Sequence, residues 1–262
     1  MYIAITASKS KTQYYINSVY IDYILKAGYF PYIICTEDEI HQALKICDGL
    51  ILPGGTDLNP IYYGYSNIQS FAVNQEKDAF ERAAFHSFRY VNKPIFGICR
   101  GFQLIIMEFL YEFPKYRKIL NFEFHIGNHS QANITDTPRN TPTHFVEYVS
   151  KHLYGKNGLN IENLGVNSMH HQCLIEKFSL EQRDKNSGVK IKVNYKDFTK
   201  IAWTRHGMKN DEKGTIVEAF TIDNWGPKII AVQWHPEELN DYRLLHNIFE
   251  KTSMIKNNKE MK

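Results

Sequence analysis

The sequence has few of the features that mark secreted, membrane or nucleic-acid-binding proteins. Its four cysteines, at positions 35, 47, 99 and 173, do not have the spacing of a zinc site or a redox pair. No apolar run approaches the roughly 18 residues of a membrane-spanning helix. The net charge of +3 is too small to favour nucleic acid or an anionic membrane as a partner. We therefore expect reduced thiols, a cytoplasmic location, and no nucleic-acid or membrane partner.

Other signals are also missing. The N-terminal residues 1–6 lack the basic segment and apolar core of a signal peptide, so they are interpreted as a first strand. The segment 112–147 contains His125, His129 and His144, but their spacings match no standard zinc pattern, and we expect no metal site. With 262 residues, the chain suits one domain over residues 1–250, followed by a frayed basic tail at 251–262.

Short apolar runs alternate with helical patterns along the first part of the chain. The sequence predicts strands at residues 2–7, 30–35, 49–52 and 94–98, with helices ending at 26 and covering 37–45, 74–90 and the segment after 101. This alternation is typical of a parallel, doubly wound α/β sheet. Further strands are predicted at 145–149, 189–195, 201–204, 215–221 and 229–234, and a closing helix at 239–250.

Cys99 stands where a predicted buried strand becomes a predicted helix. Such a turn holds its apex residue in a sparsely populated backbone conformation, and Gly97 and Gly101 provide the space that it needs. The following helix N-terminus favours a thiolate and offers N–H groups to an oxyanion. The pattern therefore indicates a nucleophile, and the alternative is a buried core cysteine in a glycine-bearing turn.

Two further strand ends carry residues that would suit the same chemistry. His235 follows the predicted strand 229–234, and Glu237 is placed to fix its tautomer. The glycine loop Gly54-Gly55 follows the strand 49–52 and could donate a second N–H group to an oxyanion, alongside Arg100. Each feature also has a purely structural explanation. His235 could be a hydrogen-bonded structural histidine at a strand end, Glu237 a solvated carboxylate in a turn, and Gly54-Gly55 an ordinary turn.

At this point the sequence resembles a known family. The segments FGICRGFQ at residues 96–103 and QWHPE at 233–237 are similar to those of the class I glutamine amidotransferase superfamily. Three segments resemble its γ-glutamyl-γ-aminobutyrate hydrolase branch, namely CRGFQ at 99–103, PGGTDLNP at 53–60 and NSMHHQ at 167–172. The resemblance extends from Met1 to about Phe249. It implies a three-layer α/β sandwich with a mostly parallel central sheet, related to the flavodoxin-like folds.

The resemblance also implies roles for the residues at the strand ends. By it, Cys99 is the nucleophile, His235 the general base and acid, and Glu237 the carboxylate that orients it. The backbone N–H groups of Gly55 and Arg100 would stabilise the oxyanion. The implied reaction is hydrolysis of a small γ-glutamyl amide through a Cys thioester, without a metal or an organic cofactor.

Further residues receive binding or structural roles by the same resemblance. Those expected to line the pocket for the glutamyl α-amino and α-carboxylate groups are Gln103, Ser168, His170 and His171. Adjacent histidines in an extended segment point to opposite sides, so at most one would face a cleft. Asp78 or Glu81 would hold the Arg100 side chain by an ion pair.

The motifs leave the reaction partner open. The alternative to a stand-alone hydrolase is a glutaminase subunit that delivers ammonia from glutamine to a partner synthase. A third alternative is a non-catalytic binding protein that keeps the turn around Cys99. The presence of His235 and Glu237 disfavours it. The resemblance leaves a homodimer open, and it does not identify the leaving amine, because the segments 112–147 and 177–206 match no family motif.

Overall fold

The structure is a computed structural model that describes residues 1–63, 72–123, 137–148, 153, 163–176, 198–205, 214–222 and 224–250. Three predictions lie outside the described residues: the strand at 189–195, the tail at 251–262, and any role for His125 and His129. That residues 1–250 form one domain stays a prediction.

The secondary structure follows the predicted alternation. The strands are β1 (Tyr2–Thr6), β2 (Ser8–Lys9), β3 (Tyr14–Tyr15), β4 (Phe30–Ile34), β5 (Gly49–Leu52), β6 (Ile95–Ile98), β7 (Leu120–Glu123), β8 (His144–Tyr148), β9 (Leu164–Val166), β10 (Cys173–Glu176), β11 (Phe198–Thr204), β12 (Thr215–Ile222) and β13 (Ile229–Val232). The helices are α1 (Ser18–Lys26), α2 (Glu37–Ile46), α3 (Gln75–Tyr90), α4 (Arg100–Glu112) and α5 (243–250). Short 3-10 helices cover Pro60–Tyr63 and Pro114–Lys118.

The central sheet begins with strands in the order β4-β1-β5-β6-β13, all parallel. It continues as antiparallel strands in the order β12-β11-β8-β9. Strand β12 pairs with β10 through residues 215–217 and with β13 through residues 219–222. The chain that leaves β13 therefore emerges beside the segment that leads into β10. The predicted sandwich with a mostly parallel central sheet is confirmed.

Alternate residues of the parallel strands pack against opposite layers of helices. Ala4, Leu50 and Leu52 contact the layer formed by α2, α3 and α4. Ile51 and Phe96 face the layer formed by α1 and α5. Strands buried on both faces read as continuous apolar runs, which is why the sequence showed them clearly. In the described part of the chain, no helix is long and apolar enough to cross a membrane.

The boundaries of four predicted elements differ by two or more residues from those observed, and one of them is β11, which begins at Phe198 instead of at 201. The first helix starts only at Ser18, because the Asn17 side chain caps it by accepting from Val19 N–H at 3.2 Å, and the preceding tyrosines form the β2–β3 hairpin. Strand β13 ends at Val232, two residues early, although the Gln233 N–H still donates to the Glu218 carbonyl of β12 at 2.7 Å. The closing helix begins at 243 instead of 239. Asn240 has φ 54°, a left-handed conformation that a right-handed helix excludes.

Candidate active site

Cys99 occupies a strained turn between β6 and α4. Its φ of 50° and ψ of −98° lie outside the regions that non-glycine residues usually adopt, as the sequence predicted for the apex of such a turn. A Cβ on Gly97 would lie 2.8 Å from the backbone of Gly101, so the turn is closed tightly around the cysteine. The Cys99 N–H donates to the Val232 carbonyl at 2.8 Å, which fixes the turn to the end of β13.

The order of the strands places the predicted site residues together. Strands β5, β6 and β13 are neighbours and parallel, so their carboxyl ends meet at one edge of the sheet. The Gly54-Gly55 loop, Cys99 and His235 follow these three strands. A Cβ on Gly54 would lie 2.7 Å from His235 Cε1 and 3.5 Å from Cys99 Cβ, so the three segments are in contact.

His235 is buried between a carboxylate and a thiol. Its Nδ1 is 2.5 Å from Glu237 Oε1, and its ring lies beside the Cys99 side chain. Burial lowers the pKa of His235, but the charges of Glu237 and the Cys99 thiolate outweigh burial and raise it to about 10. This environment favours the imidazolium form of His235 beside the Cys99 sulfur, the placement expected of the base that serves a cysteine nucleophile.

Asn167 binds the backbone of His235 on both sides. Its Oδ1 accepts from the His235 N–H at 2.9 Å, and its Nδ2 donates to the His235 carbonyl at 3.1 Å. The same Nδ2 donates to the Arg139 carbonyl at 2.8 Å. Asn167 belongs to the NSMHHQ motif, but nothing in that motif indicated that Asn167 would hold the chain after β13.

The side chain of Arg100 lies in a buried cluster of charges beneath the turn. It forms ion pairs with both Asp78 and Glu81 of α3. Glu81 also accepts from Thr6 Oγ1 at 3.0 Å, and Asp78 accepts from the Asn59 N–H at 3.0 Å. The predicted ion pair is therefore confirmed with both carboxylates. Because the turn after β5 includes Asn59, the cluster connects that turn to the start of α4.

Lys77 adds a buried amine to this cluster. Its Nζ donates to Ser8 Oγ at 2.5 Å and lies 3.6 Å from Glu81 Oε1. Burial, and then the charge of Arg100, lower the pKa of Lys77 to about 7, although Asp78 opposes the shift. A Cβ on Gly55 would lie 2.9 Å from Nζ, so the amine packs directly beneath the glycine loop. Nothing in the sequence distinguished Lys77 from a solvated helix residue.

The residues predicted to bind the glutamyl group differ in their surroundings. Gln103, on α4, and Ser168 are buried. His170 is buried too, with Nδ1 2.8 Å from the Gln172 carbonyl and Nε2 3.8 Å from Glu218. His171 is only partly buried, and its Nε2 is 2.9 Å from Asp57 Oδ2. The two histidines therefore face different surroundings, as expected for neighbours in an extended segment.

The histidine and carboxylate side chains do not form a metal site in the part of the chain that the structure describes. No group of three or more His, Cys, Asp or Glu residues there has the geometry to hold an ion. The His144–Glu218–His170 contacts, at 3.4 and 3.8 Å, join one carboxylate to two imidazoles. The four cysteines are free thiols, and of these only Cys99 lies at the candidate site.

Sequence comparison shows relatives over most of the chain. Residues 2–237 match the model of the Peptidase C26 family. The glutamine amidotransferase-like protein YvdE of Lactococcus lactis is 31% identical over 226 residues, which cover 85% of this chain and 80% of that protein. The γ-glutamyl-γ-aminobutyrate hydrolase PuuD of Escherichia coli K12 is 23% identical over 237 residues, covering 88% and 82%.

Comparison with solved structures shows the same fold. A GMP synthase subunit from Thermoplasma acidophilum superimposes with a TM-score of 0.56 at 15% identity, covering 99% of this chain and 98% of that one. The glutaminase domain of Trypanosoma brucei CTPS superimposes with a TM-score of 0.50 at 16% identity, covering 97% and 94%. From the family match, the relatives and the fold together, the chain belongs to the Peptidase C26 family, within the class I glutamine amidotransferase superfamily.

Proposed function

We propose that this protein hydrolyses the γ-glutamyl amide bond of a small γ-glutamyl amine, releasing glutamate and the free amine. The observation that carries the proposal is the contact between Cys99, in its strained turn, and His235, whose other ring nitrogen is bound by Glu237. The hydrolase family and the similarity to PuuD support the reaction type.

In the proposed first half-reaction, the Cys99 thiolate attacks the γ-carbonyl carbon and forms a C–S bond. The N–H groups of Gly55 and Arg100 would stabilise the negative oxygen of the tetrahedral intermediate. The intermediate collapses as the C–N bond breaks, and the imidazolium of His235 gives its proton to the departing amine. The products of this step are a γ-glutamyl thioester and the free amine.

In the second half-reaction, water attacks the thioester. His235, now neutral, takes a proton from the water, and Glu237 stabilises the imidazolium that forms. The C–S bond breaks, glutamate is released, and the thiolate–imidazolium pair is restored. The side chains proposed to recognise the α-amino and α-carboxylate groups of the glutamyl half are Gln103, Ser168, His170 and His171.

Steady-state kinetics of the purified protein test the proposal. The substrates would be γ-glutamyl-γ-aminobutyrate, other γ-glutamyl amines and free glutamine, with release of glutamate as the readout and the Cys99→Ala protein as the control. Analogues that lack the α-amino or the α-carboxylate group should lose about 1–3 kcal/mol of transition-state binding, because a buried pocket group is left unpaired. The ratio of their kcat/KM values to that of the full substrate measures this loss.

The same experiment separates the proposal from its main alternative. Turnover of γ-glutamyl amines by the protein alone supports the hydrolase. Negligible turnover of every γ-glutamyl amine, with glutamine hydrolysed only after a second protein is added, would instead indicate a glutaminase subunit of a synthase.

A further inference from the structure

Tyr20 of α1 reaches the candidate site from a distant part of the chain. It is a buried residue on the apolar face of the helix that also carries Tyr23 and Ile24. Its hydroxyl accepts from the Gly54 N–H at 2.9 Å and lies 3.4 Å from His235 Nδ1. The charge of the Glu237 carboxylate also acts on the phenol. One oxygen atom therefore contacts both the glycine loop and the imidazole.

The protons in this contact can be assigned. The Gly54 N–H fills one acceptor position of the phenol oxygen. In the imidazolium, the Nδ1 proton is directed to Glu237 Oε1 at 2.5 Å. The phenol oxygen lies 3.4 Å from this Nδ1, beside the His235–Glu237 bond. Burial, followed by the charges of Glu237 and Cys99, raises the pKa of Tyr20 well above its ordinary value, so the phenol stays protonated.

The hydrogen bond to Tyr20 occupies one of the N–H groups of the glycine loop. Because the Gly54 N–H is bound to Tyr20, it is not directed at an oxyanion, and Gly55 is the neighbouring donor in the loop. A Cβ on Gly54 would lie 2.8 Å from the Tyr20 oxygen and 2.7 Å from His235 Cε1. The loop, the phenol and the imidazole are thus packed without free space between them.

We propose that Tyr20 is a positioning residue that fixes the His235–Glu237 pair and the Gly54-Gly55 loop relative to each other. The inference rests on the proposed function, because it assumes that the pair moves protons and that the loop binds an oxyanion. Tyr20 has no role in the chemistry itself. It acts through Gly54, His235 and Glu237, whose spacing must match the transition state more closely than the bound substrate.

The test is the variant Tyr20→Phe, which keeps the ring and removes the oxygen. The matched control is Tyr23→Phe on the same helix, whose hydroxyl donates to the Asp241 carbonyl at 2.7 Å. With the best γ-glutamyl amine, Tyr20→Phe should lower kcat by about tenfold or more and leave KM within about threefold. Tyr23→Phe should leave kcat unchanged. Thermal unfolding of both variants shows whether each is folded.

A second readout needs no substrate. The rate at which iodoacetamide alkylates Cys99 measures the thiolate, and its dependence on pH reports the support that His235 gives it. In Tyr20→Phe the midpoint should move to higher pH by about 0.5 unit or more, because a looser His235–Glu237 pair stabilises the thiolate less. In Tyr23→Phe the midpoint should match that of the unmodified protein.

The two readouts distinguish the possible failures. A folded Tyr20→Phe protein with unchanged kcat and an unchanged alkylation midpoint would overturn the role of Tyr20. A lower kcat with an unchanged midpoint, shared by Tyr23→Phe, would also overturn it, since the loss would then reflect general damage to α1. If the unmodified protein hydrolyses no γ-glutamyl amide, the proposed function fails, and the alkylation midpoint still tests Tyr20.

Discussion

Gly101 and Leu52 approach each other so closely that no methyl group fits between them. A Cβ on Gly101 would lie 2.1 Å from the Leu52 carbonyl oxygen, which belongs to the backbone of β5. Because this oxygen is fixed in a central strand, it cannot move aside as a flexible side chain would. The contact thus sets how closely the first turn of α4 packs against β5, and with it the spacing between Cys99 and the Gly54-Gly55 loop.

The substitution Gly101→Ala should therefore destabilise the protein by roughly 1–3 kcal/mol or more, because the added methyl forces the helix away from the strand. Urea unfolding measures the change. The control is Gly55→Ala, whose Cβ would meet the end of the Lys77 side chain at 2.9 Å. That amine can shift, so the control should lose less stability. Equal stability losses in the two variants would contradict this account of the turn.

Removing the Asn167 side chain should impair both stability and turnover. Asn167→Ala removes the hydrogen bonds to the His235 N–H and carbonyl and leaves buried backbone groups unpaired, at a cost of about 1–3 kcal/mol. With His235 less well held, kcat should fall by about tenfold. Thermal unfolding and steady-state kinetics measure the two effects.

The control for Asn167 is Thr36→Ala, which removes the capping box between Thr36 and Glu39 at the start of α2. This change should also cost stability, by about 0.5–2 kcal/mol, but it lies away from the candidate site and should leave kcat unchanged. If the two variants lost activity in proportion to their stability, Asn167 would have no specific effect on His235.

The two partners in the His235–Glu237 pair should differ in importance. His235 moves protons in both proposed half-reactions, while Glu237 only orients it and stabilises its charge. His235→Ala should therefore lower kcat/KM more than Glu237→Gln does, by about tenfold or more. Steady-state kinetics of the two variants give the ratio. An equal or inverted loss would indicate that another residue is the base, and His170 and His171 would be tested next.

Lys77 should make stability depend on pH in a defined window. Its pKa is lowered by burial to about 7 in the folded protein, against about 10.4 in an unfolded chain. Between these values the unfolded state binds more protons, so the free energy of unfolding should rise with pH, by at most about 1.4 kcal/mol per unit. Below about pH 7 both states are protonated and the gain is absent.

The measurement for Lys77 is the difference in unfolding free energy between the unmodified protein and Lys77→Met, determined by urea unfolding from pH 6 to pH 9, that is, across and above the lowered pKa of about 7. Taking the difference cancels the contributions of other titrating groups. It should increase in favour of the unmodified protein as pH rises above about 7. A difference that is constant or that falls with pH would show that Lys77 is not buried as an amine with a lowered pKa.

The sequence predicted the parallel half of the fold and the meeting of the three strand ends for one physical reason. Strands buried on both faces are continuous apolar runs, and parallel strands bring their carboxyl ends to one edge. Cys99 and His235 were therefore expected at the same edge if their strands belong to one sheet, and β6 and β13 are parallel neighbours in the structure. The strained conformation of Cys99 followed from its flanking glycines. These inferences depend only on local pattern and on the order of elements.

Other parts of the site depend on contacts that local pattern does not encode. Tyr20 and Tyr23 are both buried in α1, and only the packing of this helix determines which groups their hydroxyls bind. The ion pair of Asp78 or Glu81 with Arg100 was expected only from the family resemblance, because the apolar pattern of α3 does not mark them as buried. Both are fully buried, and Arg100 neutralises them. Pairing between distant charges overrides the hydrophobic pattern here.

The central claim is that Cys99 carries the γ-glutamyl group as a thioester. Acid-quenched mass spectrometry of the protein during turnover of a γ-glutamyl amide tests it most directly, with Cys99→Ala as the control. The account predicts an added mass of one γ-glutamyl group on the peptide that contains Cys99, sensitive to hydroxylamine and absent from the control. Turnover without any such adduct, an adduct on another residue, or substantial activity in Cys99→Ala would contradict it.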